Sequence, residues 1–234
     1  MTRHWTRHDG GTTMTITSGP GSEQEERSSP EQVRTTRRYQ RLAPVYDLLE
    51  APMDRLGGRR RRQRVLASAS GEALEVGIGT GRNLELYPPG VHLTGIDLAA
   101  RMLARAQERA HRLGVPVRLM LADVQDLPFP DAAFDTVVGT CVFCSVADPV
   151  RGLAEVRRLV RPGGRVLLLE HVRPANPILG RLADLLNPLV RRIVGASINR
   201  RTEENVAAAG LEVVAVRRDG VWREIVARPR PRSG

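Results

Sequence analysis

Ala73-Leu74-Glu75-Val76-Gly77-Ile78-Gly79-Thr80-Gly81 is the stretch that decides the fold. A short apolar run breaks into three glycines at alternate positions, the pattern of a strand that ends in a tight turn and opens a helix. Such a turn presents unpaired backbone N–H groups and the positive end of a helix dipole to a ligand. The last glycine comes one residue sooner than in the G-x-G-x-x-G dinucleotide fingerprint, and Glu75 stands two residues ahead of the first. A carboxylate there repels a pyrophosphate but suits a ligand that carries an ammonium group beside its carboxylate. S-adenosylmethionine is such a ligand.

Outward from this turn, apolar runs rich in Val, Leu and Ile alternate with amphipathic stretches, which predicts an α/β fold with a doubly wound, mostly parallel sheet. The expected strands are 73–76, 91–96, 117–121, 134–138 and 165–170, followed by 211–216 and 221–227. The last two are joined by Arg218-Asp219-Gly220 and form an antiparallel C-terminal hairpin that closes a seven-stranded sheet. Helical spacing over 99–113 ends at Gly114, and Pro149 opens a helix that Pro162-Gly163-Gly164 stops. A helix over 33–49 is expected to break at Pro44. Ile178 to Val194, apolar on one side with Arg181, Arg191 and Arg192 interleaved, fits either a basic amphipathic stretch that lies on a lipid surface or covers the acceptor site, or, as the favoured expectation, two helices divided at Asn187-Pro188 that pack on the sheet. The domain scheme is a disordered polar tail at 1–30, a helical lid at 31–70, a ligand-binding domain at 71–228 with an insert at 175–205, and a short tail at 229–234. Met14 is a candidate alternative start.

The 234 residues suit one sizeable domain, and no apolar window is long enough to span a bilayer. The formal charge is +10, with no lysine in the chain. Ten arginines against four acids fall between Glu31 and Leu66, just ahead of the glycine turn. That concentration fits either a solvated helix face or an anionic membrane surface as partner. Few aromatics interleave the arginines, which weighs against nucleic acid as the partner. Cys141 and Cys144 lie in an apolar segment with C-x-x-C spacing; a zinc site needs two further ligands that the sequence does not offer, so no metal is expected. Free thiols and the lack of a signal segment give the expectation of a cytoplasmic protein, peripheral at the inner membrane surface.

Ligands of open parallel sheets bind outside the carboxyl ends of the strands. The second strand ends at Asp97, twenty residues after Gly77, the spacing of an acid that hydrogen-bonds ribose hydroxyls. The same residue is placed to cap the next helix. The third strand ends at Asp123, where a carboxylate among apolar neighbours can accept from the amine of an adenine ring; Asp126 is a second candidate.

These segments, with Thr94-Gly95-Ile96-Asp97-Leu98, Leu127-Pro128-Phe129, Phe134-Asp135 and Leu159-Val160-Arg161-Pro162-Gly163-Gly164, resemble the class I S-adenosylmethionine-dependent methyltransferases of the methyltransferase 11 group. The resemblance covers residues 37 to 227 and implies a Rossmann-like methyltransferase fold with S-adenosyl-L-methionine as cofactor. It implies that Glu75, Gly77, Gly79 and Gly81 hold the methionine part, Asp97 the ribose, and Asp123 with Val124 the adenine. Leu98 and Met102 then line the nucleoside, Cys141 faces the cofactor, and Tyr39 belongs to a lid that folds over it.

Residues 85–90, 144–146, 169–172 and 199–202 are similar to bacterial phosphatidylethanolamine N-methyltransferases and to animal thiol methyltransferases of the methyltransferase-like 7 type. Arg41 to Asp47 is also similar to the entrance helix of quinone C-methyltransferases. The hydrophobic N-terminal anchor of the animal thiol enzymes has no counterpart in this sequence. The expected acceptor is therefore a small molecule or lipid bearing an amine or thiol, with a phospholipid head-group amine favoured and quinone or metabolite methylation as the alternative. His171, just past the fifth strand, is the candidate base. Glu170 and Tyr46 are the other catalytic candidates.

Overall fold

The structure is a computed structural model and describes residues 30–194 and 196–230. The tails expected at 1–30 and 229–234 lie outside the described residues, save Pro30 and residues 229–230. Seven strands form one sheet: β1 Glu72–Val76, β2 His92–Asp97, β3 Val117–Leu121, β4 Phe134–Thr140, β5 Val160–His171, β6 Leu211–Asp219 and β7 Trp222–Pro229. Their order is β3-β2-β1-β4-β5-β7-β6. The first five are parallel, and β7 lies antiparallel between β5 and β6. Strand order reverses between β1 and β4, so the glycine turn after β1 sits at the point where ligands bind in open sheets.

Alternation along the central strands sorts the core into two layers. Leu74, Val76, Val137, Val166 and Leu168 pack on α5 (Pro149–Leu159) through Leu153, Val156 and Leu159. Val138, Leu167 and Leu169 face the other way onto Val65 and Leu66 of α3 (Arg59–Leu66). Ala73, Leu93 and Leu119 on that second side pack on Leu103, Ala106 and Ala110 of α4 (Ala100–Leu113). The sheet is thus doubly wound, as its near-continuous apolar strands require. Gly114 closes α4 in the left-handed region at φ +65°, and Asp148 caps α5 by accepting from the Arg151 N–H at 3.0 Å.

Ahead of α3 come α1 Pro30–Leu42 and α2 Tyr46–Met53, separated at the expected Pro44 break. After β5 come α6 Pro177–Val194 and the short α7 Thr202–Ala208. The chain differs from expectation at Pro188, through which α6 runs unbroken. The carbonyl that loses its donor there belongs to Asp184, an exposed residue. Asn187 meanwhile turns inward and accepts from the Ile198 N–H at 2.9 Å. β5 also starts earlier than expected, because Val160 pairs with Phe134 before the register jumps to Arg165 opposite Thr136. The Pro162-Gly163-Gly164 segment is therefore a bulge within the strand rather than a loop before it.

Candidate active site

A cleft of about 730 Å³, open mouth included, lies over the carboxyl ends of β1, β2 and β4. Gly77 and Gly79 form its floor, both at positive φ (+63° and +58°). A Cβ at Gly77 would meet Val142 Cγ2 at 2.6 Å, so only glycine fits beneath the loop after β4. A Cβ at Gly79 would meet nothing within 4 Å, because that position faces the open cleft. Gly81 serves packing instead. A Cβ there would lie 2.7 Å from Leu84 and 3.1 Å from the backbone of Ala106, so its absence lets α4 approach.

Asp97 joins the second strand to this turn. Its Oδ2 accepts from the Gly79 N–H at 2.9 Å and its Oδ1 from the Ala99 N–H at 2.8 Å. Burial pushes its carboxyl up to about 6, against the pull of those backbone donors. Leu98, Met102, Ile96, Ala122 and Val124 give the cleft an apolar side. Val142, Ser145 and Cys141 supply the wall after β4, Cys141 being held at φ +57°.

The remaining wall comes from α1 and α2. Gln32, Thr35, Thr36 and Tyr39 line the cleft from one face of α1, and Tyr46 from the start of α2. The Tyr39 hydroxyl lies 2.8 Å from Ser145 Oγ, and the two tyrosine rings meet edge-on with centroids 6.1 Å apart. Burial raises both phenols above their usual range, so both stay protonated. Gln32 Oε1 accepts from the Ala147 N–H at 3.0 Å, while Asp47 Oδ1 accepts from Thr80 Oγ1 at 2.6 Å and its Oδ2 from Arg109 at 2.6 Å. The N-terminal helices are thus tied to both rims of the cleft.

Of the residues singled out from sequence, Tyr39, Tyr46, Gly77, Gly79, Asp97, Leu98, Met102, Val124 and Cys141 line this cleft together. Glu75 lies beneath the turn rather than in the cleft, its oxygens accepting from Asn83 Nδ2 at 2.7 Å and Tyr87 Oη at 2.9 Å. Burial pushes its carboxyl up to about 7. Asp123 is buried and turned onto Gln125, whose backbone N–H and Nε2 reach it at 2.9 and 3.1 Å.

Glu170 stands behind the wall: one oxygen accepts the Val142 and Phe143 N–H groups at 3.0 and 3.1 Å, so it holds the loop after β4 and does not line the cleft. His171 does not reach the cleft either. Alternation along β5 sends it to the face of Leu167 and Leu169, where its ring meets Trp222 edge-on at 5.6 Å. Gln32, Thr35, Thr36 and Ser145 escaped the sequence reading, although the helical spacing of 32, 35, 36 and 39 on an otherwise arginine-rich helix carried the signal.

A family model described as a methyltransferase domain matches residues 74–168, which hold the glycine turn, Asp97 and β4. The phosphatidylethanolamine N-methyltransferase of Cereibacter sphaeroides is 40% identical over 146 residues, covering 61% of this chain and 71% of that protein. The chain belongs to the S-adenosylmethionine-dependent methyltransferases. The demethylmenaquinone methyltransferase of Deinococcus radiodurans is 34% identical over 165 residues, 68% of each chain, and a thiol S-methyltransferase of Homo sapiens is 39% identical over 113 residues, 46% of each. Among solved structures, a methyltransferase from Thermotoga maritima shares the fold with a TM-score of 0.65 at 22% identity, over 83% of this chain and 99% of that one. The cofactor of this methyltransferase is S-adenosyl-L-methionine, and its cleft fits that group: an open glycine floor, an acid at the end of β2 and an apolar flank.

Proposed function

We propose that this methyltransferase transfers the methyl to nitrogen or sulfur on an amphiphilic small molecule, with a phospholipid head-group amine as the favoured acceptor. The observation that carries this reading is the wall of Tyr39, Tyr46 and Ser145, which with Gln32, Thr35 and Thr36 gives the cleft a polar side facing its apolar one of Leu98, Met102 and Val124. The 40% identity to a phosphatidylethanolamine N-methyltransferase supports the same acceptor class.

When bound, S-adenosyl-L-methionine supplies an electrophilic sulfonium methyl. The chain's own part is to orient both molecules and exclude water. In this reading Gly77 and Gly79 offer backbone to the methionine part, Asp97 takes the ribose, and Leu98, Met102 and Val124 flank the adenine, with Asp123 acting on it through Gln125. Gly81 and Glu75 support the turn from below. Cys141 and Tyr39 close the sulfur side, and residues 31–70 act as a lid. Tyr46, protonated and half-buried, positions the acceptor's polar atom. Glu170 is a positioning residue through the backbone of Val142 and Phe143.

Incubation with labelled S-adenosylmethionine and a panel of phosphatidylethanolamine, small thiols and demethylated quinones, followed by product mass analysis, tests the reading. Label in the lipid head group supports it, and label only in a quinone ring replaces it with C-methylation, the second reading, which the 34% identity to a demethylmenaquinone methyltransferase favours.

A further inference from the structure

Among the described residues, thirteen large apolar side chains are exposed, and eleven fall in two short segments: Val45, Leu48, Leu49, Met53 and Leu56 around α2, and Ile178, Leu179, Leu182, Leu185, Leu186 and Leu189 on α6. Their exposure is large, 74% at Leu48, 80% at Leu56 and 76% at both Ile178 and Leu185. A soluble surface rarely gathers such side chains. On α6 the six recur at helical spacing, while Gly180, Ala183 and Asn187 on the opposite side are buried against the domain. α6 therefore has an inverted arrangement, with its larger apolar stripe facing outward. Both segments adjoin the cleft: Tyr46 begins α2, and the loop after α6 is held to the β4 wall by the bond from the Ser197 N–H to the Cys144 carbonyl at 2.8 Å.

We infer that the outward faces of α2 and α6 dock the enzyme on an anionic phospholipid surface, with the cleft mouth beside it. Charge selects this occupant. Arg34, Arg37, Arg41, Arg55, Arg60, Arg181 and Arg192 are exposed and, among the described residues, have no ion-pair partner. Residues 173–201 carry six arginines against one acid. Arginines at the border of an apolar patch meet lipid phosphates while the leucines enter the acyl boundary. A second copy of the chain fits badly, because a two-fold interface would bring these uncompensated arginines face to face. No helix of the described residues is long and apolar enough to cross a membrane, so the docking is interfacial. The inference rests on the amphiphilic-acceptor reading and gives it a route, since an acceptor embedded in the surface enters the cleft without leaving the lipid.

The test is flotation with vesicles of phosphatidylcholine alone and of phosphatidylcholine with phosphatidylglycerol. The full chain is compared with L182E/L185E/L189E on α6 and L48E/L49E on α2, and S-adenosylhomocysteine calorimetry reports that each variant keeps its cleft. The parent binds the anionic vesicles, and each variant set loses at least about tenfold in partitioning, as removing two or more buried leucines implies, with the cofactor product bound as before. Equal binding to neutral vesicles, retention by both variants, or a salt-insensitive dimer that the same substitutions dissolve overturns the inference. The acceptor reading is judged separately by the product panel, so vesicle binding without a methylated lipid separates the two.

Discussion

Replacing Gly79 by alanine isolates the ligand-facing role of the turn from its structural role. The residue sits at φ +58°, so a side chain there costs about 1 kcal/mol of backbone strain. Nothing lies within 4 Å of the new methyl, and no packing cost is added. For a chain of this size that loss lowers the melting temperature by about 2–4 °C. The methyl instead projects into the cleft where a ligand's atoms must lie, and S-adenosylhomocysteine affinity falls by about tenfold or more, equivalent to at least about 1.4 kcal/mol. Gly81→Ala is the control with the opposite signature. Its methyl meets Leu84 and the Ala106 backbone at 2.7 and 3.1 Å, so overpacking adds to strain and the loss reaches about 2–4 kcal/mol. Calorimetry with S-adenosylhomocysteine and thermal melts on both variants give the four numbers needed. Binding by Gly79→Ala within twofold of the parent, with the modest melting shift present, would refute the assignment of this turn as the cofactor floor.

Asp97→Asn keeps the acceptor for one backbone N–H but loses the charge and one acceptor oxygen; product affinity falls tenfold or more in the same calorimetric assay while the far-UV spectrum is unchanged. Glu170 holds its proton up to about pH 7 when folded, against 4.5 for the ordinary carboxyl. The folded chain therefore carries the extra proton between these values, and stability from this group falls as pH rises from about 4.5 to 7 and is level above. Glu170→Gln escapes that loss, so its stability relative to the parent rises between pH 5 and 8 by at most about 3 kcal/mol; a pH-independent difference in urea melts contradicts the argument. His171→Ala removes an edge-on contact with Trp222 outside the cleft and lowers stability by about 1 kcal/mol, with turnover changed less than twofold. A hundredfold fall in turnover would return His171 to the role of base.

The glycine turn, the order of the strands and the C-terminal hairpin were legible because each depends on local rules: φ at Gly77 and Gly79, two-residue alternation, and turn chemistry at Gly220; the helix that the glycine turn was expected to open is instead the three-residue 3-10 turn Leu84–Leu86. The side of the sheet on which a residue falls was not local. Alternation alone separates His171 from Glu170, but which of them faces the β4 loop depends on the bulge at 161–164 and on where α3 packs, and both are tertiary facts. The same holds for acids. Asp97 stands at a strand end as its spacing predicts, yet nothing in the sequence tells that Glu75 is taken by Asn83 and Tyr87, or Asp123 by Gln125. Pro188 reads as a helix break because the rule assumes an unmet buried carbonyl, whereas the carbonyl concerned belongs to the exposed Asp184.

The N-terminal helices attach to the cleft mainly through polar bonds at Gln32, Asp47 and Tyr39, and the apolar cluster they share with the domain has only Ala43, Ala99 and Met102 as buried members. The large cores on either side of the sheet contain none of their residues. Opening this wall also breaks the bonds of Arg38 to the Arg191 and Arg192 carbonyls and the ion pairs Glu31–Arg191 and Glu50–Arg82, but it leaves both large cores intact, so its free energy lies below that of global unfolding. In the proposed reading, acceptor preference and fold stability are consequently carried by different stretches of chain. If the cleft is used as proposed, residues 30–56 can diverge, or be redesigned, to admit new acceptors without disturbing the sheet that carries the glycine turn.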